Sequence, residues 1–401
     1  MDDRLLPGKR QLDFLDWEFG VFFHFGIRSF FLGHKDWDNR EMPVSAFNPE
    51  SLDCEQWIRN IRDAGAKYAV LVCKHHDGFA NWPTAYSEYS VKNSPWKDGK
   101  GDVVAEYVAA CRKYGIKVGL YYSPAQWGGS IAFRNGREYD DYFIAQIGEL
   151  LTNYGKIDYL WFDGCGSGEH EYDKRRIIAA IRGMQPDILI FSMWDPDTQW
   201  IGNEDDYADM SNSDMRQFEG KPRYLPAECD CKLRSTWFDC ELNEDTIKGL
   251  DELMGMYEMS VGRGSNLLLN VAPNRHGLLS DSDVARLSEF GAEIRRRYGQ
   301  PVAGFSAVTG ADNVYTIASE KAVPVNRVIL QEDISEGNRA EEFAVYANLP
   351  VYDKRICVYR GCTIGHKAIC CFPTIRTAKL TVEIVTSEKE CRITNFVPYF
   401  S

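Results

Sequence analysis

Four short apolar, β-rich runs in this chain each end in polar or hydrogen-bonding aromatic groups and then a glycine or proline. They are Phe19-Gly-Val-Phe-Phe-His24-Phe-Gly, Tyr68-Ala-Val-Leu-Val-Cys-Lys-His75-His76-Asp77-Gly78-Phe79, Lys117-Val-Gly-Leu-Tyr121-Tyr122-Ser123-Pro124 and Ile157-Asp-Tyr-Leu-Trp-Phe-Asp163-Gly164. Helix-like stretches from Cys54 to Ala64, Asp102 to Tyr114 and Glu138 to Tyr154 lie between them. Short apolar runs bounded by breakers read as buried strands, and strand, helix and strand at this spacing read as βαβ units. Such units close into a barrel whose strand ends all point at one mouth, where barrel enzymes carry their chemistry. Four decorated ends then converge, and Asp163 becomes a catalytic candidate. The competing reading is a strand-terminal Asp that only caps the next loop.

The 401 residues hold one barrel of ordinary size and a smaller domain. The alternation continues through a helix from Asp173 to Gly183 and a strand at Ile188-Leu-Ile-Phe-Ser. An apolar helical stripe follows at Ile247, Leu250, Met254, Tyr257 and Val261, then a late strand, Asn266-Leu-Leu-Leu-Asn270. A charged amphipathic helix from Asp281 to Arg297 closes the region, and Tyr298-Gly-Gln-Pro-Val reads as a linker. Beyond it the chain turns to short β-rich runs such as Asn326-Arg-Val-Ile-Leu-Gln and Leu380-Thr-Val-Glu-Ile-Val. The expected organisation is an α/β chain with a (β/α)8-like TIM barrel over residues 1–299 and an all-β sandwich over residues 300–401.

A net charge of −13 argues against a phosphate-backbone partner, since nucleic-acid footprints are basic. No apolar run approaches the roughly 18 residues of a membrane span, and the first ten residues lack the apolar core of a signal peptide. The expectation is therefore a cytoplasmic protein with no nucleic-acid or membrane partner, its oligomeric state open. Twelve cysteines fit a reducing compartment as buried thiols; Cys229-Asp-Cys231 and Cys370-Cys371 lack zinc spacing.

His75 and His76 form the densest polar cluster at a strand end. On an extended strand adjacent side chains point to opposite faces, which disfavours a shared metal. Hydrogen bonding to a hydroxyl-rich substrate suits them better, because imidazole both donates and accepts; a histidine satisfied in the core is the plainer reading for one of the two. Aromatic rings are dense nearby: Phe25, Trp37, Phe79, Trp82, Trp96, Trp127, Trp161, Trp194 and Trp200. Sugars stack on such rings, though rings also fill barrel ends. Glycoside chemistry needs a second carboxyl to protonate the leaving oxygen. Glu204 and Glu228 are the candidates, and either could instead be a solvated loop acid.

Phe22-Phe-His24-Phe-Gly26, Lys74-His-His-Asp-Gly-Phe79, Tyr89-Ser-Val-Lys-Asn-Ser-Pro-Trp96, Trp161-Phe-Asp163-Gly164, Trp200-Ile-Gly-Asn-Glu204 and Ser260-Val-Gly-Arg-Gly-Ser-Asn-Leu-Leu-Leu-Asn270 together resemble the α-L-fucosidases of glycoside hydrolase family 29. The likeness spans nearly the whole chain. The Gly-Asn-Glu and Ala-Glu-Cys-Asp segments are similar to the branch acting on α1,3/1,4-linked fucose. The resemblance implies a barrel with a carboxyl-terminal β-sandwich, a retaining double displacement, no metal or other cofactor, and a fucosylated oligosaccharide or glycoconjugate as substrate. It implies Asp163 as nucleophile, Glu204 as acid/base with Glu228 as the alternative, and His24, His75, His76 and Tyr121 as fucose ligands with Asp36 and Trp37 beside them. Asp36 stands for the usual Glu, Gln199 for an Arg, Ala125 for a Trp, and Met193-Trp194 where an Asp is common; these bear on substrate identity more than on reaction class. A non-catalytic carbohydrate-binding barrel, a retaining glycosidase for another sugar and a metal-dependent barrel hydrolase are the rival readings.

Overall fold

The computed structural model describes residues 5–31, 41–128, 136–164, 166, 170–201, 204, 207–349, 354–386 and 390–401, so the expectations for Asp36 and Trp37 lie outside the described residues. Eight parallel strands form the barrel wall: β1 (Phe19–Phe23), β2 (Tyr68–Lys74), β3 (Lys117–Tyr122), β4 (Tyr159–Phe162), β5 (Leu189–Phe191), β6 (Gln199–Trp200), β7 (Ala227–Lys232) and β8 (Ser265–Asn270). Ladders join them in the order β5, β4, β3, β2, β1, β8, β7, β6. The seam between β5 and β6 is closed by one bridge, Phe191 to Thr198.

Local sequence sets the outer helices. Asp53 accepts the Gln56 N–H at 2.9 Å to start α1 (Cys54–Ala64), and Asp102 accepts the Ala105 N–H at 2.8 Å to start α2 (Val103–Tyr114). Each carboxylate satisfies a donor that the first helical turn leaves unpaired. Both helices stop at a left-handed glycine, Gly65 at φ 104° and Gly115 at φ 71°, a conformation that side chains oppose. Helices Gly136–Thr152, Lys174–Met184, Leu250–Ser260 and Asp281–Tyr298 continue the ring. No helix follows β5 or β6 among the described residues; a short connection reaches β6, and a hairpin, Met215–Phe218 with Lys221–Tyr224, precedes β7.

The barrel is filled, not hollow. Phe22, Tyr68, Val70, Tyr121, Tyr159, Trp161 and Leu268 form an inner core, and Phe14 and Trp17 from the amino-terminal segment plug its lower end against Tyr68 and Tyr159. A second, larger core lies between the strands and the helices.

The carboxyl-terminal part is one six-stranded antiparallel sheet. Its long strands, Val314–Glu332 and Ala368–Val385, pair through register shifts after Ala318 and Val325. Ile317, Val345 and Leu380 from one half share a core with Val328, Leu330 and Cys370 from the other. The sheet also packs on the barrel: Ile329, Ile369 and Tyr399 join the barrel's outer core, and the ring of Tyr399 meets that of Tyr298 edge-on, centroids 5.8 Å apart. No disulfide joins the described cysteines.

Candidate active site

The carboxyl ends of the barrel strands surround a cavity of about 300 Å³, at the small end of ligand sites. Its lining includes His24 after β1, His75 and His76 after β2, Tyr121 on β3, Asp163 after β4, Trp200 on β6, Glu204 and Asp230. Six of these eight stand at or just beyond a strand end, where barrel strands deliver side chains to the mouth; Asp230 lies two residues before the end of β7, and Glu204 lies past β6. The structure thus brings Asp163, Glu204, His24, His75, His76 and Tyr121 to one space.

Asp163 sits at the inner wall. Its Oδ2 accepts the Tyr121 hydroxyl at 2.9 Å and lies 3.6 Å from His76 Nε2. His24 Nδ1 is 2.8 Å from Asn270 Oδ1, and Asn270 in turn donates to the Trp237 carbonyl at 2.8 Å. Burial pushes His24 down to about 3 against its bond to Asn270 Oδ1, and pushes His76 down to about 4 against the charge of Asp163. Burial and its two neighbouring histidines hold His75 well below the usual range. Three neutral imidazoles therefore face the cavity, and in His24 and His76, where Nδ1 is already bonded to Asn270 and Ser123, the other nitrogen is left to a sugar hydroxyl as a single donor or acceptor.

The paired histidines differ from expectation. Strand β2 ends at Lys74, and the Gly78 N–H bonds to the His75 carbonyl at 3.0 Å to form a turn. Alternation no longer applies in a turn, so both rings reach the cavity with centroids 4.1 Å apart. The aromatic expectation needs a larger correction. Trp161 and Trp200 line the cavity, but Phe25, Phe79, Trp82 and Trp96 fill the core behind the strands, and Trp194 packs on Phe162 and Tyr172. Trp127 lies against His76 at 4.7 Å.

Glu204 and Glu228 fall in different places. Glu204 lines the cavity, half exposed, with Lys232 Nζ at 3.0 Å. Glu228 is fully buried inside the barrel, below the cavity and outside its lining. It accepts Tyr68 OH at 2.7 Å, Trp161 Nε1 at 2.9 Å and Tyr159 OH at 3.3 Å. Burial raises it to about 8 in spite of those bonds. The candidate acid/base Glu228 thus lies behind Trp161, whose ring lines the cavity, while Glu204 lies in the lining itself.

Several lining groups escape the sequence reading: Phe22, Trp237, Asp230 and the supporting Asn270 and Ser123. Asp230 accepts Trp200 Nε1 at 2.6 Å, and burial together with the nearby Glu204 charge raises it to about 6. A usable signal was the alternation in Ala227-Glu-Cys-Asp-Cys-Lys232, where every second residue is charged and the others are small. That period sends three charges into the barrel and the cysteines outward.

One of the departures, Gln199, has a plain structural role, and at Ala125 the main chain alone is engaged. Gln199 donates to the Leu225 and Ser213 carbonyls at 2.6 and 3.1 Å, away from the cavity. The Ala125 carbonyl accepts Lys74 Nζ at 3.0 Å. Ser192, Trp194 and Glu204 hold positive φ of 57°, 63° and 52°, a costly conformation for such residues. Strain of that kind concentrates at functional sites, and here it lies along the β5 and β6 side of the mouth.

A model of the alpha-L-fucosidase family matches residues 8–298. The chain belongs to that family. It is 37% identical over 306 residues to alpha-L-fucosidase 1 of Arabidopsis thaliana, an alignment covering 71% of this chain and 59% of that protein. Against the tissue alpha-L-fucosidase of Mus musculus it is 26% identical over 326 residues, 70% of this chain and 67% of the other. Among solved structures, a glycoside hydrolase 29 family member from an unknown rumen bacterium superposes with a TM-score of 0.91 at 31% identity, covering 98% of this chain and 77% of that one. The alpha-L-fucosidase match runs from the amino-terminal segment that plugs the barrel to the last barrel helix, and the structural likeness extends over the carboxyl-terminal sheet as well.

Proposed function

We propose that this chain is a retaining exo-α-L-fucosidase. The observation that carries the reading is Asp163: a carboxyl at a barrel strand end, gripped by Tyr121, in a sugar-sized cavity with three neutral histidines and a second acid, on an alpha-L-fucosidase family barrel. Asp163 attacks the anomeric carbon while Glu204 gives its proton to the departing glycosidic oxygen. The bond from that carbon to the leaving oxygen breaks as the bond to Asp163 forms. Glu204 then takes a proton from water, the water attacks the same carbon, and Asp163 leaves as a carboxylate. His24, His75, His76 and Tyr121 hold the fucose hydroxyls.

Aryl glycosides differing only in the sugar test the substrate: turnover of the α-L-fucoside alone supports the reading, and preference for another sugar sinks it. We further propose α1,3/1,4-linked fucose as the natural target, on the Gly-Asn-Glu and Ala-Glu-Cys-Asp segments. Faster release from α1,2-linked than from α1,3/1,4-linked oligosaccharides would overturn that part. In a complex with fucose the carboxyls of Asp163 and Glu204 are expected about 5 to 5.5 Å apart, the separation of retaining enzymes.

A further inference from the structure

The hydroxyl of Ser123, at the end of β3, is fully buried. It has three neighbours: His76 Nδ1 at 2.6 Å, the Ala125 N–H at 3.1 Å and the Ala125 carbonyl at 3.2 Å. A serine has one proton to give. The Ala125 carbonyl already accepts from Lys74 Nζ at 3.0 Å, and the approach to His76 is the shorter by 0.6 Å (3.2 − 2.6). Across the ring, His76 Nε2 is 3.6 Å from Asp163 Oδ2, the same oxygen that accepts Tyr121 at 2.9 Å.

A neutral imidazole carries its proton on one nitrogen or the other, and the partner of the first decides the second. With the proton on Nδ1, Nε2 would turn a lone pair toward a carboxylate oxygen, and two acceptors would face each other. With the proton on Nε2 the same contact is attractive, and Nδ1 must then accept. The burial that keeps His76 near 4 leaves the ring neutral, so the choice between tautomers is a real one.

We infer that Ser123 is a positioning residue that donates to His76 Nδ1 and so holds the ring in the tautomer whose Nε2–H points at Asp163. The inference rests on the reading of Asp163 as nucleophile. Its consequence is specific to one half of the reaction. When the glycosyl-enzyme breaks down, Asp163 leaves and regains its charge, and a donor already aimed at Oδ2 stabilises that charge as it develops. Attack by Asp163 loses the same charge, so formation of the intermediate gains nothing from the donor.

The test has two arms. In protein labelled with ¹⁵N-histidine, with His76 assigned from the signals lost in His76→Gln, the native ring at neutral pH is expected to show a protonated Nε2 and a bare Nδ1. A native ring protonated on Nδ1 overturns the inference, and no variant of Ser123 is needed to see it. In Ser123→Ala, Nδ1–H is expected to become populated. On a 2,4-dinitrophenyl fucoside, kcat should fall about tenfold, the size of one lost charge-assisted bond, with KM falling alongside it. An unchanged tautomer and unchanged kcat in that variant would overturn the role. A Ser123→Ala protein that loses kcat/KM on every substrate with KM unchanged would overturn the assignment to breakdown. The spectra read the tautomer whatever Asp163 does, whereas full activity in Asp163→Ala would remove the mechanism and leave the tautomer standing.

Discussion

Asp163 and Glu228 stand on either side of one tryptophan, and the contrast between them separates the mouth of this barrel from its interior. Trp161 lines the cavity with its ring and donates to Glu228 from beneath at 2.9 Å. At the mouth, Asp163 keeps 27% of its side chain exposed and meets Tyr121 and His76 on one oxygen. In the interior, Glu228 has no exposure and three donors, and burial still lifts it to about 8. Hydrogen bonds alone do not offset the loss of water around a carboxyl. Access to the cavity, not the number of bonds to the acid, marks the group fit for chemistry on a substrate.

The sharpest way to break this contrast is Asp163→Ala. Its kcat on an aryl α-L-fucoside should fall by several orders of magnitude while circular dichroism stays unchanged, and azide should restore turnover with inverted product. Near-native activity would end the assignment.

Glu204→Ala comes next in size. An unactivated fucoside should slow by about 10² to 10⁴, a range typical of a lost general acid, whereas a 2,4-dinitrophenyl or fluoride substrate should slow far less and show a lowered KM as intermediate accumulates. If that leaving-group dependence appeared in Glu228→Ala instead, mouth and interior would have to exchange roles.

Glu228→Ala should act on stability. Tyr68, Tyr159 and Trp161 would lose a common acceptor, at a cost of about 1–3 kcal/mol, read as a lower urea midpoint with turnover per folded molecule kept.

The last prediction concerns the pH dependence of stability that Glu228→Gln removes. The folded carboxyl titrates at about 8 against 4.5 for the free group, so the folded chain binds the proton more tightly than the unfolded chain. Stability from that proton is fully present below about pH 4.5, shrinks as pH rises, and is gone above about pH 8. Chemical denaturation of both proteins across this window should give a difference that changes steadily and then flattens; a flat difference throughout would mean that Glu228 is charged in the fold.

The first half of the barrel was open to reading because each of its signals is local. Asp53 and Asp102 announce helices, Gly65 and Gly115 end them, and four apolar runs carry His24, His75, Tyr121 and Asp163 to their ends. The second half was harder for physical reasons. Strand β6 has two residues and β5 three, too few for a period to register. Trp237 and Ser123 gain their places from loops beyond strands, where no period exists. The position of Glu228 depended on which face of β7 points inward and how deep, and depth inside a barrel comes from register with neighbours that a single strand does not encode.

The closure of the wall by one bridge, Phe191 to Thr198, has a consequence for how this protein tolerates change. Asp163 follows a strand laddered on both sides, to β3 and to β5, while Glu204 hangs from β6, which shares two ladder pairs with β7 and that lone bridge with β5. The stretch from Ser192 to Ile201 is held by scattered main-chain bonds, among them Ser192 N–H to Thr198, Asp197 N–H to Ile190, Gln199 N–H to Pro226 and Ile201 N–H to Glu228, rather than by a long ladder, and it lies on the Glu204 side of the mouth. A lesion placed in the β3–β4 ladder would unpick the wall beneath Asp163. A library aimed at reshaping the Glu204 side of the mouth belongs in the first of these segments, and the second should be left alone.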